Sequence, residues 1–218
     1  MTFVVDVLEA TDLHRAELEC SPLLRRMRDG RGSRANYTAF LGDLYHVVWH
    51  FCPIMAAAAS RCTDEFAQVR LHLYEAIHEE LGHEKMVLDD LEVFGVDTGP
   101  IRSIQPVDSV LALVATNYYL VERVHPCSVL GMSYVLEFIA SAYAGPIADG
   151  IAEGFGMPAT QGFRFLKSHA ALDQEHVVRM HSLLNTIRDP QTQRRVIEAT
   201  NTNFHLFKEW MRQLEDQG

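Results

Sequence analysis

Between Arg123 and Asp149 the chain carries one formally charged side chain, Glu137. The apolar part of this stretch, about 128–144, is interrupted by Ser133, Glu137 and Ser141 and falls short of the ~20 residues a membrane span needs. A segment this apolar folds as a helix enclosed on most faces by protein. An ionised carboxylate inside it costs several kcal/mol unless something compensates its charge. Three outcomes remain open for Glu137 at this point: a structural salt bridge, a protonated acid, or a metal ligand.

The rest of the chain repeats apolar residues at three- and four-residue steps, and strand signals are few. Helices are expected at about 10–28, 34–60, 64–94, 107–124, 126–153, 160–187 and 190–215. Gly30 and Gly32 close the first, Ser33 caps the second, and Gly95 ends the third. Pro53 lies inside the stripe Tyr37, Phe40, Leu44, Val48, Phe51, Met55 and should kink it. Gly145-Pro146 is a candidate break in the fifth helix, and 95–106 reads as a loop. No repeat, linker or low-complexity stretch divides the sequence. The expectation is a single all-α domain over 1–218, a bundle of about seven helices.

Charge narrows the partners. With 29 acids against 19 bases the net charge is -10, and basic runs go no further than pairs such as Arg25-Arg26 and Arg194-Arg195. Nucleic acid and anionic membranes are therefore not expected partners. The four cysteines, Cys20, Cys52, Cys62 and Cys127, form no CxxC pair, and the N-terminus has no signal-like pattern. These features fit a cytoplasmic protein with free thiols.

Two further clusters join Glu137. In His169-Ala-Ala-Leu-Asp173-Gln-Glu-His176, steps of four and three put His169, Asp173 and His176 on one helical face, continued by Leu166 and Met180. His181 and Glu175 fall off that face and are expected to be exposed. In Glu79-Glu80-Leu-Gly-His83, Glu80 and His83 have the ExxH spacing of helix-borne carboxylate-bridged metal sites, with Ala76 and Val87 on the same face. The spacing alone is weak, since Glu75–His78 and Glu122–His125 share it, and Glu79 remains an alternative to Glu80. Together the clusters supply three carboxylates and three imidazoles, a donor set that suits iron or manganese better than zinc in a thiolate cage. Six ligands exceed what one ion with an open position needs and match two ions with bridging carboxylates.

The sequence resembles the haem-oxygenase-like di-iron oxidases and oxygenases, the iron-containing redox enzymes. The resemblance is carried by EELGHEKMVLDDLEVFG (79–95), HPCSVLGMSYVLE (125–137) and HAALDQEH (169–176). It implies a haem-oxygenase-like fold, two iron ions held by Glu80, His83, Glu137, His169, Asp173 and His176, and dioxygen as co-substrate. It also implies a small amine, amino acid or carboxylate as substrate, with oxidative C–C cleavage, desaturation or N-oxygenation as outcome, within a biosynthetic pathway. An external reductant and a homodimer fit the same family. Some relatives draw a carboxylate from the region where this chain has His46 and His50, which are read as core or outer-shell groups. Tyr118, Tyr119, Tyr134 and Phe138 are candidate pocket walls, and Arg164 and Lys167 candidate substrate anchors.

Three alternatives stay beside this reading. A haem-degrading enzyme would use His14 as haem ligand, although Phe138, Ile139, Ala142 and Tyr143 stand where haem oxygenases place glycines. A thiaminase-like hydrolase would need an activated cysteine, for which Cys127 at a helix N-terminus is the candidate. A non-catalytic protein of the same fold would bind iron without consuming oxygen.

Overall fold

The structure is a computed structural model in which residues 2–216 are described, the side chains of 171–175 excepted. Among the described residues there is no strand, and the chain is all-α as expected. It contains more α-helices than the seven expected: one precedes the first, the first and third are subdivided, and the fifth holds a π-helical turn between two α-helical parts.

A helix that was not expected, α1 (Phe3–Ala10), precedes the first expected one, which is itself two short helices, α2 (Asp12–Glu19) and α3 (Pro22–Arg28). Thr11 sits between α1 and α2, fully buried, with its hydroxyl on the Val7 carbonyl at 2.8 Å. Pro22 takes the first position of α3, where its missing N–H costs nothing. The long α4 (Arg34–Arg61) starts at Ser33, whose hydroxyl accepts from the Asn36 N–H at 3.0 Å. Pro53 lies within it without ending it.

The expected helix 64–94 divides into a 3₁₀ turn at Asp64–Phe66, α5 (Ala67–Glu80) and α6 (His83–Val93). Gly82 sits at the joint with φ +90°, a left-handed conformation that glycine adopts without steric cost. The fifth expected helix does the opposite and runs on through its candidate break. From a 3₁₀ turn at Pro126–Ser128 it continues as α8 (Val129–Ile139), a π-helical turn at Ala140–Ala144, and α9 (Gly145–Phe155). The widened turn directly precedes Pro146, whose ring and missing N–H a regular α-helical turn would not accommodate. The remaining helices are α7 (Asp108–Tyr119), which ends in a second π-helical turn, α10 (Arg164–Leu184) and α11 (Pro190–Asp216).

α11 packs along α7 and α8, and α4 lies against α5, α6 and α7. A Cβ on Gly131 of α8 would stand 2.6 Å from the Thr200 nitrogen of α11, so only glycine allows this approach. Trp210, Tyr37, Phe163 and Phe204 are the largest fully buried side chains of the core. One helical run, Pro126–Phe155, is long and apolar enough to cross a membrane, and 61% of its most apolar window is buried in protein. That burial is the environment of a core helix.

Two buried carboxylates act as remote helix caps. Asp43 on α4 accepts from the Val107 N–H at 3.1 Å and from the Trp210 indole at 2.9 Å. Asp90 on α6 accepts from the Arg164 and Phe165 N–H groups of α10, each at 2.9 Å.

Candidate metal centre

Glu80 and His83 stand on either side of the α5–α6 joint rather than on one helix. Glu80 is the last residue of α5, and Leu81 leaves the helix with an extended ψ of 121°. Gly82 turns the chain, and the Lys85 N–H bonds to the Gly82 carbonyl as α6 begins at His83. The sharp joint brings the two side chains into contact, with His83 Nδ1 2.7 Å from Glu80 Oε2. The shared-face reading of Ala76, Glu80, His83 and Val87 is thus corrected: the pair meets through a turn.

His169 comes from α10. Its Nδ1 lies 2.9 Å from the Phe165 carbonyl, which can only accept, so the proton sits on Nδ1. Its ring stacks on the Phe165 ring at 4.0 Å. Nε2 then faces Glu80 Oε2 at 3.6 Å, and the His83 and His169 rings meet edge to face at 4.9 Å. One donor atom from each of Glu80, His83 and His169 lies within 4.8 Å of the others. Donors about 2.1 Å from a common ion stand roughly 3–4 Å apart, so slight side-chain rotation closes this triad on a metal. Burial pushes the Glu80 carboxyl up, but the hydrogen bonds and charges of His169 and His83 outweigh it and hold it down at about 2.

Glu80 and His169 of the triad, but not His83, line a cavity of about 120 Å³. Glu80, Glu137, His169 and His176 all line it, so four of the six sequence candidates share one space. Glu137 is half-buried on α8. Asp173 lies outside the described side chains, as does Glu175. The cavity follows α4 from Phe40 to Met55, roughly 22 Å at 1.5 Å per residue. The Cys52 thiol reaches the Ile77 carbonyl at 3.9 Å, which sets Glu80 beside the middle of that run. Toward the start of α4 the walls are Leu24, Met27, Phe40, Leu44, Phe207 and Trp210, all apolar.

Glu79 also lines the cavity but is paired with other groups. Its two oxygens accept from the Arg179 guanidinium at 2.9 Å each, and one lies 3.5 Å from His176 Nε2. Glu80, not Glu79, is therefore the carboxylate that meets two imidazoles. Arg179 and His72 also line the cavity and had not been singled out from sequence. The signal was present, because Arg179 lies three residues past His176 and His72 two helical turns before Glu80.

Other sequence candidates fall away from the cavity. His46 and His50 on α4 are partly buried and point elsewhere, His50 to the Tyr118 hydroxyl at 3.0 Å. Burial lowers the pKa of both. Tyr119 is 61% exposed, and neither it nor Tyr118, Tyr134 or Phe138 is a cavity wall; Tyr143 and Ile139 are. Lys167 pairs with Asp149 and Arg164 with Asp89, both outside the cavity. His181 is not exposed as expected but half-buried, stacked on Tyr134 at 6.2 Å. His14 stacks on Phe204 at 5.7 Å and does not line the cavity. Cys127 is fully buried, and its thiol is pushed far up by a hydrogen bond to Cys62 and by burial, the reverse of an activated thiolate.

A family model described as iron-containing redox enzyme matches residues 38–208, most of the chain and all of the donors above. The chain belongs to the iron-containing redox enzyme family. No curated protein is significantly similar in sequence to this family member. Solved structures share its fold. A domain of unknown function with a haem oxygenase-like fold from Shewanella denitrificans OS217 aligns with TM-score 0.87 at 21% identity, covering 100% of this chain and 93% of its own. A TenA homologue from Pseudomonas syringae pv. tomato aligns at 0.85 and 15% identity, over 98% and 93% of the two chains. The haem oxygenase from Leptospira interrogans aligns at 0.77 and 18% identity, over 98% and 100%. The iron-containing redox enzyme described here therefore has the haem-oxygenase-like fold.

Proposed function

We propose that this protein is a non-haem di-iron oxidase or oxygenase that uses dioxygen on a small, largely apolar molecule bearing an amine or carboxylate. The observation that carries the proposal is the Glu80–His83–His169 triad, two of whose members, Glu80 and His169, line a cavity together with Glu137 and His176. In this reading Glu80, His83 and His169 hold one iron, and Glu137, Asp173 and His176 the other. When bound, a ferrous pair supplies electrons and Lewis acidity for dioxygen reduction.

The chain's own contribution is positioning and exclusion of water. The Phe165 carbonyl keeps the Nδ1 proton of His169, so Nε2, which faces Glu80, is the nitrogen that would ligate. The arm lined by Leu44, Phe40, Phe207 and Trp210 takes the apolar body of the substrate and leaves its polar end beside the donors. Arg179, clamped by Glu79, holds a positive charge at the cavity wall near His176.

The haem-degrading alternative needs His14 in the cavity and the hydrolase alternative needs a reactive Cys127; neither side chain is so placed. The deciding experiment is anaerobic reconstitution with ferrous ion, iron counting, and exposure to oxygen. Two irons per chain and oxygen uptake are expected. Two irons without uptake would make this an iron-binding protein, and no retained iron would remove the centre altogether.

A further inference from the structure

The start of α10 needs a cap, since the first N–H groups of a helix have no partner within it. The residue in the cap position is Phe163, an aromatic buried in the core that offers no side-chain oxygen. The cap is supplied from another helix: both oxygens of Asp90 on α6 are taken by the Arg164 and Phe165 N–H groups. Asp90 is 2% exposed, and burial raises its pKa against the pull of those two bonds. A serine or aspartate at position 163 would cap α10 locally and save the cost of a buried acid. A local cap would leave the position of α10 relative to α6 unset. The remote cap fixes it.

What it fixes is the distance between donors. Phe165, held through its N–H by Asp90, holds His169 through its carbonyl at 2.9 Å and through ring stacking at 4.0 Å. His169 faces Glu80, and Glu80 contacts His83. His83 opens α6, two turns before Asp90 on the same helix. These five residues close into a ring, in which the Asp90 side chain ties α6 to the backbone at the start of α10.

We propose that Asp90 is a positioning residue for the metal centre, locking the two histidine-bearing helices in register so that His83 and His169 converge on one ion. This rests on the metal reading above. The test is anaerobic titration with cobalt(II), whose visible absorption reports both affinity and ligand geometry, on wild type, Asp90→Asn and Asp43→Asn. Asparagine keeps the shape and one acceptor, so Asp90→Asn is expected to fold. Asp43 is also a buried carboxylate that caps a backbone N–H, but on elements without a ligand. Asp90→Asn should bind the first cobalt about 10-fold or more weakly, with a changed absorption band, as expected when a ligand's supporting partner is lost. Asp43→Asn should lose melting temperature while keeping wild-type affinity and spectrum. Unchanged cobalt affinity and spectrum in Asp90→Asn would overturn the proposal, and so would an equal loss in Asp43→Asn. If wild type takes up no cobalt, the centre itself is wrong and the positioning role goes with it.

Discussion

The two ends of the cavity are built on opposite principles. At the donor end, Glu80, His83 and His169 come from three helices, and their geometry depends on a glycine joint, a carbonyl and a remote cap. At the apolar end, Phe40 stacks on Trp210 at 5.1 Å and Phe207 meets it edge to face at 5.2 Å, with one hydrogen bond from the indole to Asp43. The first end spends stability on placing charge, since buried donors repel or must be paired without an ion. The second supplies stability through apolar burial. A change at the donor end should therefore alter ion binding with little unfolding, and a change at the apolar end should do the reverse.

The largest separation is expected from His169→Ala, which should bring iron below two per chain and abolish oxygen uptake, while the metal-free state loses the Glu80 pairing and melts well above Trp210→Ala. Iron counting beside calorimetry checks both halves. Trp210→Ala should destabilise by about 3–5 kcal/mol, as large aromatic deletions in cores do. Its iron stoichiometry after reconstitution should match wild type, and a loss of iron would break the distinction between the ends.

Acid titration of the metal-free protein sharpens the comparison further. Burial would raise Glu80, but the two imidazoles hold it at about 2, below its ordinary 4.5. A depressed carboxylate stabilises the fold above its ordinary pKa and ceases to do so as pH falls through the depressed value. Stability should thus fall between about pH 4.5 and 2, and Glu80→Gln should flatten that part of the profile; an unchanged slope would show that the ion pair contributes nothing. The smallest effect is expected from Gly82→Ala. Nothing lies within 4 Å of the added Cβ, so only the left-handed backbone resists it, at about 1–2 kcal/mol. Denaturant unfolding would measure it.

The apolar periodicity of α4 and α11 was legible because their faces persist over many turns, and both helices lie within about one residue of the expected bounds. The donor residues were legible because charge in an apolar setting is conspicuous, as with Glu137. What periodicity could not register was the change of direction at Leu81-Gly82, since ExxH reads the same across an unbroken helix and across this joint. The reverse error threatened at Gly145-Pro146, where a local breaker was overridden by packing and absorbed in a π-helical turn. Glu79 and Glu80 could not be ranked by sequence because the deciding partner, Arg179, is 100 residues away. Pocket walls were misassigned for a related reason: aromatic residues on α7 and α8 satisfy helical spacing whichever way the helix is rotated, and only the packing of α8 on α11 sets that rotation.

Of the chain's two tryptophans, Trp210 lines the cavity and is fully buried, whereas Trp49 lies outside it under the Arg102 guanidinium at 4.7 Å. The protein thus carries its own optical gauge of cavity filling. Any molecule that enters the apolar arm must displace what touches the Trp210 indole, and with Trp49 replaced by phenylalanine the whole indole emission would come from that one position. Compounds could then be ranked by fluorescence before any reaction is known.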